Sequence, residues 1–350
     1  MNMTLTEFEK LESLYEGRRV FYGDLHNHSN SGGTSDGNCT LADWRKGMEI
    51  LGMDFAAILD HRQVLHMYHP DWEDGVFIGG TEPGTRISDS KAEVSDIHYN
   101  MIFENAEPLL KLLHEFPEYE YTGGREGHFI YPEFTRERFI KLIDFIKANG
   151  GFFVHPHPGQ IMRSSDPLEY WFSDETGFEV FYRDMKGPES KEYYELWCKV
   201  LACGKRVFAT AGDDRHVAPA TDALTTIYAE EKKNSSYIKH LKSGDFVCGN
   251  VGIKMAIGDV TMGGVSGFES EKILLSVRDF HKSVVKENHI YKMVLITDKG
   301  VLTEEKVNPY EINNFAFDTE DFKFYRAEIF DETENLRIAI GNPIWNKKWM

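Results

Sequence analysis

A chain of 350 residues, 41% hydrophobic and 13% aromatic, can bury a substantial core, which excludes a disordered protein. Asp and Glu number 57 against 39 Lys and Arg, a formal charge of -18 that repels nucleic-acid phosphates and anionic lipids, so neither is expected as a bulk partner. No apolar run reaches the roughly 18 residues of a membrane span, and Cys39, Cys198, Cys203 and Cys248 form no CxxC pair, so reduced thiols in a cytoplasmic protein are expected.

The opening segment, MNMTLTEFEKLESLYEGRRV, mixes charged and apolar residues without a continuous apolar stretch, which argues against a signal peptide. From there to about residue 250, β-rich runs alternate with helical patterns. Strands are expected over 19–25, 55–59, 76–81, 97–103, 151–155, 178–181 and 206–211. Thr40 can cap a helix through Leu51, with Asp43 at the capping-box position and Gly52 as its stop. Thr135 can cap a second, whose apolar face is Phe139, Ile140, Ile143 and Ile146. Ser190 is placed at the start of a third, running to Cys203. Residues 105–134 break the rhythm with an aromatic, acidic insertion. Strand–helix alternation of this kind predicts an α/β fold around a parallel sheet. After Asn250, runs such as KILLSVRD, YKMVLITD and FKFYRAEIF are separated by turn residues without a helical period. A second, β-rich domain over 251–350 is therefore expected, an antiparallel sheet or sandwich serving packing or oligomerisation.

The chemistry-bearing residues gather at the expected strand ends. Asp24-Leu-His26-Asn-His28 closes the first strand, and side chains at i and i+2 of an extended segment share a side, so both imidazoles can meet one ion. Asp36 follows in Ser-Asp-Gly. Asp60-His61 ends the second strand, Glu82 the third, His98 lies in the fourth and His155 ends the fifth. Asp214 and His216 follow the seventh. The carboxyl edge of a parallel sheet is where converging loops build sites. Nitrogen and oxygen ligands without thiolate suit Zn, Mn or Fe, and so many of them point to more than one ion.

The ordered series DLHNHS, SDG, LDH, GTE, IHYN, VHPHP and GDDRH resembles the motif series of the PHP (polymerase and histidinol phosphatase) phosphoesterases over residues 20–250. GDLHNHS followed by SDG is similar to the CehA/McbA-like branch. The resemblance implies a distorted (β/α)7 barrel over residues 1–250, followed by a small C-terminal β-sandwich, and a site of two or three divalent ions. Carried over by motif, His26, His28, Glu82 and Asp214 hold one ion. By the same resemblance Glu82 would bridge to a second on His98 and His155, and Asp36, His61 and His216 would hold a third. Two departures stand out: LDH replaces TDH, and DDRH replaces SDAH, which leaves Asp213 as an alternative to Asp214.

Other residues have weaker signals. His157 can protonate a leaving group or simply line the site. Arg62, Arg183 and Arg215 can each clamp a phosphate or form a surface ion pair; for Arg215 the pair would be with Asp213 or Asp222. Trp171, Phe172 and Tyr182 are expected to pack the helical shell, and His66 and His69 to lie in a loop near the entrance. The expected reaction is hydrolysis of a small phosphate ester by a metal-activated water. The same chemistry suits a carbamate, ester or amide, and a non-catalytic metal-binding module is the third reading. There is no GxSxG elbow, Walker A sequence or GxGxxG fingerprint.

Overall fold

The structure, a computed structural model, describes residues 5–90, 96–119, 132–159, 173–219, 223–269 and 271–350. Seven strands correspond to the expected ones, six with ends within a residue or two and the fourth shortened at its start: β1 Arg19–Asn27, β2 Phe55–Ile58, β3 Phe77–Thr81, β4 Asn100–Phe103, β5 Phe152–His155, β6 Thr176–Tyr182 and β7 Val207–Gly212. Their side chains are almost all buried, as expected of strands covered on both faces. Hydrogen bonding orders them β7-β6-β5-β4-β3-β2-β1. The two ends of the row meet above the sheet: Asn27 bridges Arg215, and His28 N–H donates to the Arg215 carbonyl at 2.8 Å. Lower down, Arg19–Gly23 of β1 pairs instead with β8, Thr225–Ala229, so β1 and β7 approach only at their carboxyl ends.

The expectation of an all-parallel sheet fails at one strand. β4 runs antiparallel to both β3 and β5, whereas the other neighbours in the row are parallel. The expected single strand over 97–103 is broken at Tyr99. Asp96–His98 pairs with Gly84–Ile87 in a small separate sheet, and only Asn100–Phe103 enters the main one.

Helices flank the row where the punctuation placed them. Thr40 and Asp43 form the reciprocal capping box of the helix Leu41–Leu51, which ends on Gly52 at φ 79°. Thr135 accepts from Arg138 N–H at the head of Arg136–Ala148, and Phe139, Leu142, Ile143 and Ile146 are buried. The third helix begins at Pro188 rather than Ser190. Ser190 is buried, and its hydroxyl accepts from Tyr182 N–H and donates to the Asp184 carbonyl, stitching the helix to the end of β6. Of the insertion at 105–134, residues 120–131 lie outside the described residues; the part described carries a helix, Glu107–Glu115, and the short strand Glu133–Phe134 beside Gly84–Ile87.

Beyond residue 250 the chain is β-rich, as read from sequence. β9, Phe246–Gly249, pairs with the late strand Leu336–Gly341, placing Val247 opposite Gly341. One ladder therefore continues from the N-terminal row through β8 and β9 into the strands Leu336–Gly341, Phe324–Asp331, Tyr291–Thr297 and Gly300–Val307. Val251–Ile257, Lys272–Phe280 and Asn313–Asp318 form part of a second sheet. The first helix, Leu5–Leu14, docks on it, with Leu11 and Tyr15 packed against Tyr228, Ala256 and Leu274. Among the described residues no helix is long and apolar enough to cross a membrane.

Candidate metal centre

The carboxyl ends of β1, β2, β3, β6 and β7 lie at one edge of the row, and because β4 is reversed its amino end lies there too. His98, just before β4, is thereby delivered to the same place as residues that follow the parallel strands. Glu82, fully buried after β3, is the hub. Its Oε2 lies 3.2 Å from His26 Nε2, 3.2 Å from His28 Nε2 and 3.4 Å from His61 Nδ1. Its Oε1 lies 3.1 Å from His98 Nδ1 and 2.8 Å from His157 Nε2. Asp214 Oδ1 is 3.1 Å from His28 Nε2 and 3.5 Å from His26 Nε2. Asp36 Oδ1 is 3.1 Å from His216 Nε2, and its Oδ2 is 3.6 Å from His61 Nε2.

Three groups with metal-ligand spacing result: His26, His28, Glu82 and Asp214; Glu82, His98 and His157; and His28, Asp36, His61 and His216. The structure thus brings together eight of the nine residues expected as ligands. Among the described residues His155 joins none of these groups, and His157 lies beside Glu82. His155 closes β5 and packs its ring 4.8 Å from that of Phe153, and burial drives its imidazole down to about 3. Alternation along an extended strand would put His155 and His157 on one side, but His157 has φ 27°, which breaks it. Asp214, rather than Asp213, faces the histidines. Asp213 is fully buried and pairs with Arg215 Nε at 3.0 Å, while Asp222 lies outside the described residues.

Arg62, His157, Arg183 and Asp214 all have left-handed φ, between 27° and 62°, in the loops after β2, β5, β6 and β7. Such conformations cost about 1–3 kcal/mol each and cluster where side chains are aimed for function. Gly37 in Ser-Asp-Gly has a steric reason: a Cβ there would stand 2.5 Å from the His28 carbonyl group. The loop carrying Asp36 can therefore lie flat on the end of β1, and Asn38 N–H donates to the His216 carbonyl at 2.7 Å.

The electrostatics fit cations. Burial opposes charge on His26, but Glu82, Glu179 and Asp214 outweigh it and raise its imidazole well above the ordinary value. Burial likewise opposes charge on His28, yet the neighbouring carboxylates of Asp214 and Glu82 hold its pKa up at about 9. Burial alone would raise Glu82 and Asp214, but neighbouring imidazoles keep both carboxyls well below their usual range. The cluster therefore draws positive charge, which protons supply and which metal ions would supply in their place. His26 Nε2, His28 Nδ1 and Glu82 Oε2 are buried without a hydrogen-bond partner; the first and last face each other at 3.2 Å, and His28 Nδ1 lies on the far side of its ring, 4.0 Å from Asp36 Oδ1. Buried polar atoms left in this way call for further groups: one cation would satisfy His26 Nε2 and Glu82 Oε2, and a second, beside Asp36, would satisfy His28 Nδ1.

Further residues support the cluster, and Glu179 among them has no expectation from sequence. Glu179, the lone acid in the apolar strand TGFEVFY, touches His26 and the His157 backbone. Its isolation in that strand was the available signal. Tyr182, expected only to pack, donates its hydroxyl to Asp214 Oδ2 at 2.9 Å, and Arg183 Nη2 lies 3.2 Å from the same oxygen. Asp60 accepts from Ser29 N–H, Ser29 and Ser31 hydroxyls and Gln63, tying the loops of His28 and His61 together. His66 is buried 3.1 Å from Asp60, and His69 is exposed beside Asp71; neither joins a ligand group. Arg62 lines a small cavity with Val64, Thr81, Pro83 and Leu112. Trp171 and Phe172 lie outside the described residues. A fourth cluster, His289, Asp331 and Glu334, has Lys186 and Lys286 on Glu334, which already supply its positive charge.

No family model matches the chain. No curated protein matches it either. Among solved structures it is similar to a protein of Bifidobacterium adolescentis provisionally described as a metal-dependent phosphoesterase, at 16% identity and a TM-score of 0.37, over 57% of this chain and 90% of that one. It is similar to an amidohydrolase from Chromobacterium violaceum, determined with sulfate and no metal, at 16% identity and a TM-score of 0.39, over 57% and 91%. It is similar also to the lesion-specific endonuclease EndoQ of Pyrococcus furiosus, at 11% identity and a TM-score of 0.42, over 64% and 56%. Likenesses this distant do not place the chain in a family.

Proposed function

We propose that this chain is a metal-dependent hydrolase of the PHP type, built on a distorted seven-stranded barrel, that cleaves a small phosphate ester with two or three divalent ions. One observation carries the reading: a single buried carboxylate, Glu82, lies within 3.4 Å of five imidazoles, while three polar atoms of that cluster have no hydrogen-bond partner. His26, His28, Glu82 and Asp214 would hold one ion, Glu82, His98 and His157 a second, and Asp36, His61 and His216, with His28, a third. Ions there supply Lewis acidity and neutralise charge on phosphoryl oxygens. Tyr182 and Arg183 hold the outer oxygen of Asp214, so that its inner oxygen faces His26 and His28. Arg183 is half exposed and offers planar paired donors to an incoming phosphate. Residues 1–250 carry this chemistry, with the strands from 251 onward as support. The formal charge of -18 favours a small ester over a polyanion. The CehA/McbA-like assignment rests on the first two motifs alone.

The test is turnover by the purified full chain, supplied with Mn²⁺, Zn²⁺ or Fe²⁺, on phosphate monoesters and diesters alongside carbamates and aryl esters. Phosphate-ester hydrolysis that is lost on chelation and in Asp214→Ala supports the reading. Turnover confined to carbamates or carboxylic esters replaces it with that chemistry. Tight metal binding without any turnover leaves a binding module.

A further inference from the structure

Glu179 is 1% exposed and lies near the middle of β6, where every other residue but Thr176 is apolar, aromatic or glycine. Its Oε1 is 3.1 Å from His26 Nδ1, and its Oε2 accepts the His157 backbone N–H at 2.6 Å. Those two partners belong to different ligand groups, joined otherwise through Glu82. The space is kept for this meeting. At Gly212 a Cβ would stand 2.2 Å from Glu179 Oε1 and 2.7 Å from His26 Cβ. An ionised carboxylate only accepts, so the His26 proton belongs on Nδ1. Once an ion displaces the second proton, the Nε2 lone pair is left directed toward Glu82 and Asp214, whose oxygens lie 3.2 and 3.5 Å away.

We propose that Glu179 is a positioning residue that fixes the His26 tautomer with one oxygen and the His157 loop with the other, so that the two ion sites sharing Glu82 are organised as a unit. The proposal rests on the metal-dependent reading above. It accounts for an acid buried in an apolar strand, for the glycine at 212 that leaves room for its carboxylate, and for the hold on His157 at a φ of 27°, from which its ring reaches Glu82 at 2.8 Å. Glutamine cannot replace it. Its single carbonyl oxygen can serve one N–H, while its amide NH₂ is set against the other donor.

The experiment titrates Zn²⁺ into the metal-stripped full chain against a chromophoric chelator, for wild type, Glu179→Gln and Glu179→Asp, with unfolding followed in parallel. Wild type is expected to take up at least two ions. Glu179→Gln should weaken that uptake by about 10–100-fold, the usual range for partners that orient a ligand. Glu179→Asp keeps the charge but is one methylene short, and should also weaken it. A folded Glu179→Gln protein with wild-type affinity overturns the proposal, as does lowered stability with unchanged affinity, the signature of a merely structural acid. Should neither variant fold, ¹⁵N-histidine spectra of the zinc-loaded wild type decide: a proton on Nε2 of His26, rather than Nδ1, overturns it. Wild type that binds no zinc defeats the metal-dependent reading itself, whereas zinc binding indifferent to Glu179 defeats only this inference.

Discussion

The stability of the metal-free protein should fall as pH rises through neutrality, in contrast to the metal-loaded protein. His28 is fully buried against Glu82 and Asp214, and its imidazole titrates at about 9 in the folded state and at about 6.5 in an unfolded chain. Below about pH 6.5 both states carry the proton and its full stabilisation is present. Between about 6.5 and 9 the unfolded chain has lost the proton and the folded protein has kept it, so stability declines; above that range the contribution is gone. At about 1.4 kcal/mol per pH unit, this gap is worth about 3 kcal/mol. His26 is shifted in the same direction and adds to the decline. Glu82 and Asp214 are shifted down, so their contribution is present above the ordinary carboxylate range and is lost as pH falls through it. His155, held down at about 3 by burial, is protonated in the unfolded chain alone between about pH 3 and 6.5, so the metal-free protein should be most stable near about pH 6.5. Urea unfolding in excess chelator, from about pH 6 to about 9, measures the slope. With zinc at fixed free concentration the decline should vanish, because metal displaces those protons and binds more tightly as pH rises. Stability of the metal-free protein that stays level or rises over this interval would refute the electrostatic account of the cluster.

Replacing His28 or Asp214 by alanine should remove most of the bound metal, since His28 belongs to two ligand groups and Asp214 faces both His26 and His28. Elemental analysis checks this, and fewer than one ion per chain in supplemented wild type rules out a multinuclear centre. Arg183→Ala should lower kcat/KM on the best phosphate ester by about 10²-fold, and lysine should rescue it poorly. Arg215→Ala should leave kcat/KM within a few-fold but destabilise the protein by about 1–3 kcal/mol, because Arg215 pairs with the buried Asp213; steady-state kinetics and denaturation separate the two arginines, and a loss above tenfold in Arg215→Ala would reverse its assignment. Truncation after residue 250 removes Ala339, Ile340 and Gly341, the ladder partners of Gly249, Cys248 and Val247. The 1–250 fragment should therefore aggregate, even though every residue of the three groups lies at or before His216; a soluble, zinc-binding fragment would show the ladder dispensable.

Local order was legible in the amino-acid sequence because it has local causes. β-rich runs bounded by turn residues located the strands of the row, and Thr40 with Asp43 announced a capping box that the structure contains. The type and order of the ligand residues were legible too, because imidazoles and carboxylates recurring after successive strands have few other reasons to do so. Tertiary structure decided what depends on neighbours distant in sequence. Strand direction is one case: nothing within IHYNMIF shows that β4 runs against β3 and β5, yet that reversal brings His98 to the others. The choice between His155 and His157 is another, since an extended reading of VHPHP puts both on one side and only the left-handed turn at His157 separates them. Glu179 is the third. An acid in a strand is by itself ambiguous between a solvated edge and a buried support, and the imidazole that resolves the ambiguity lies 153 residues away. A hydrogen bond across that separation has no local signature, because packing of the strands, not their sequence periodicity, brings its two ends together.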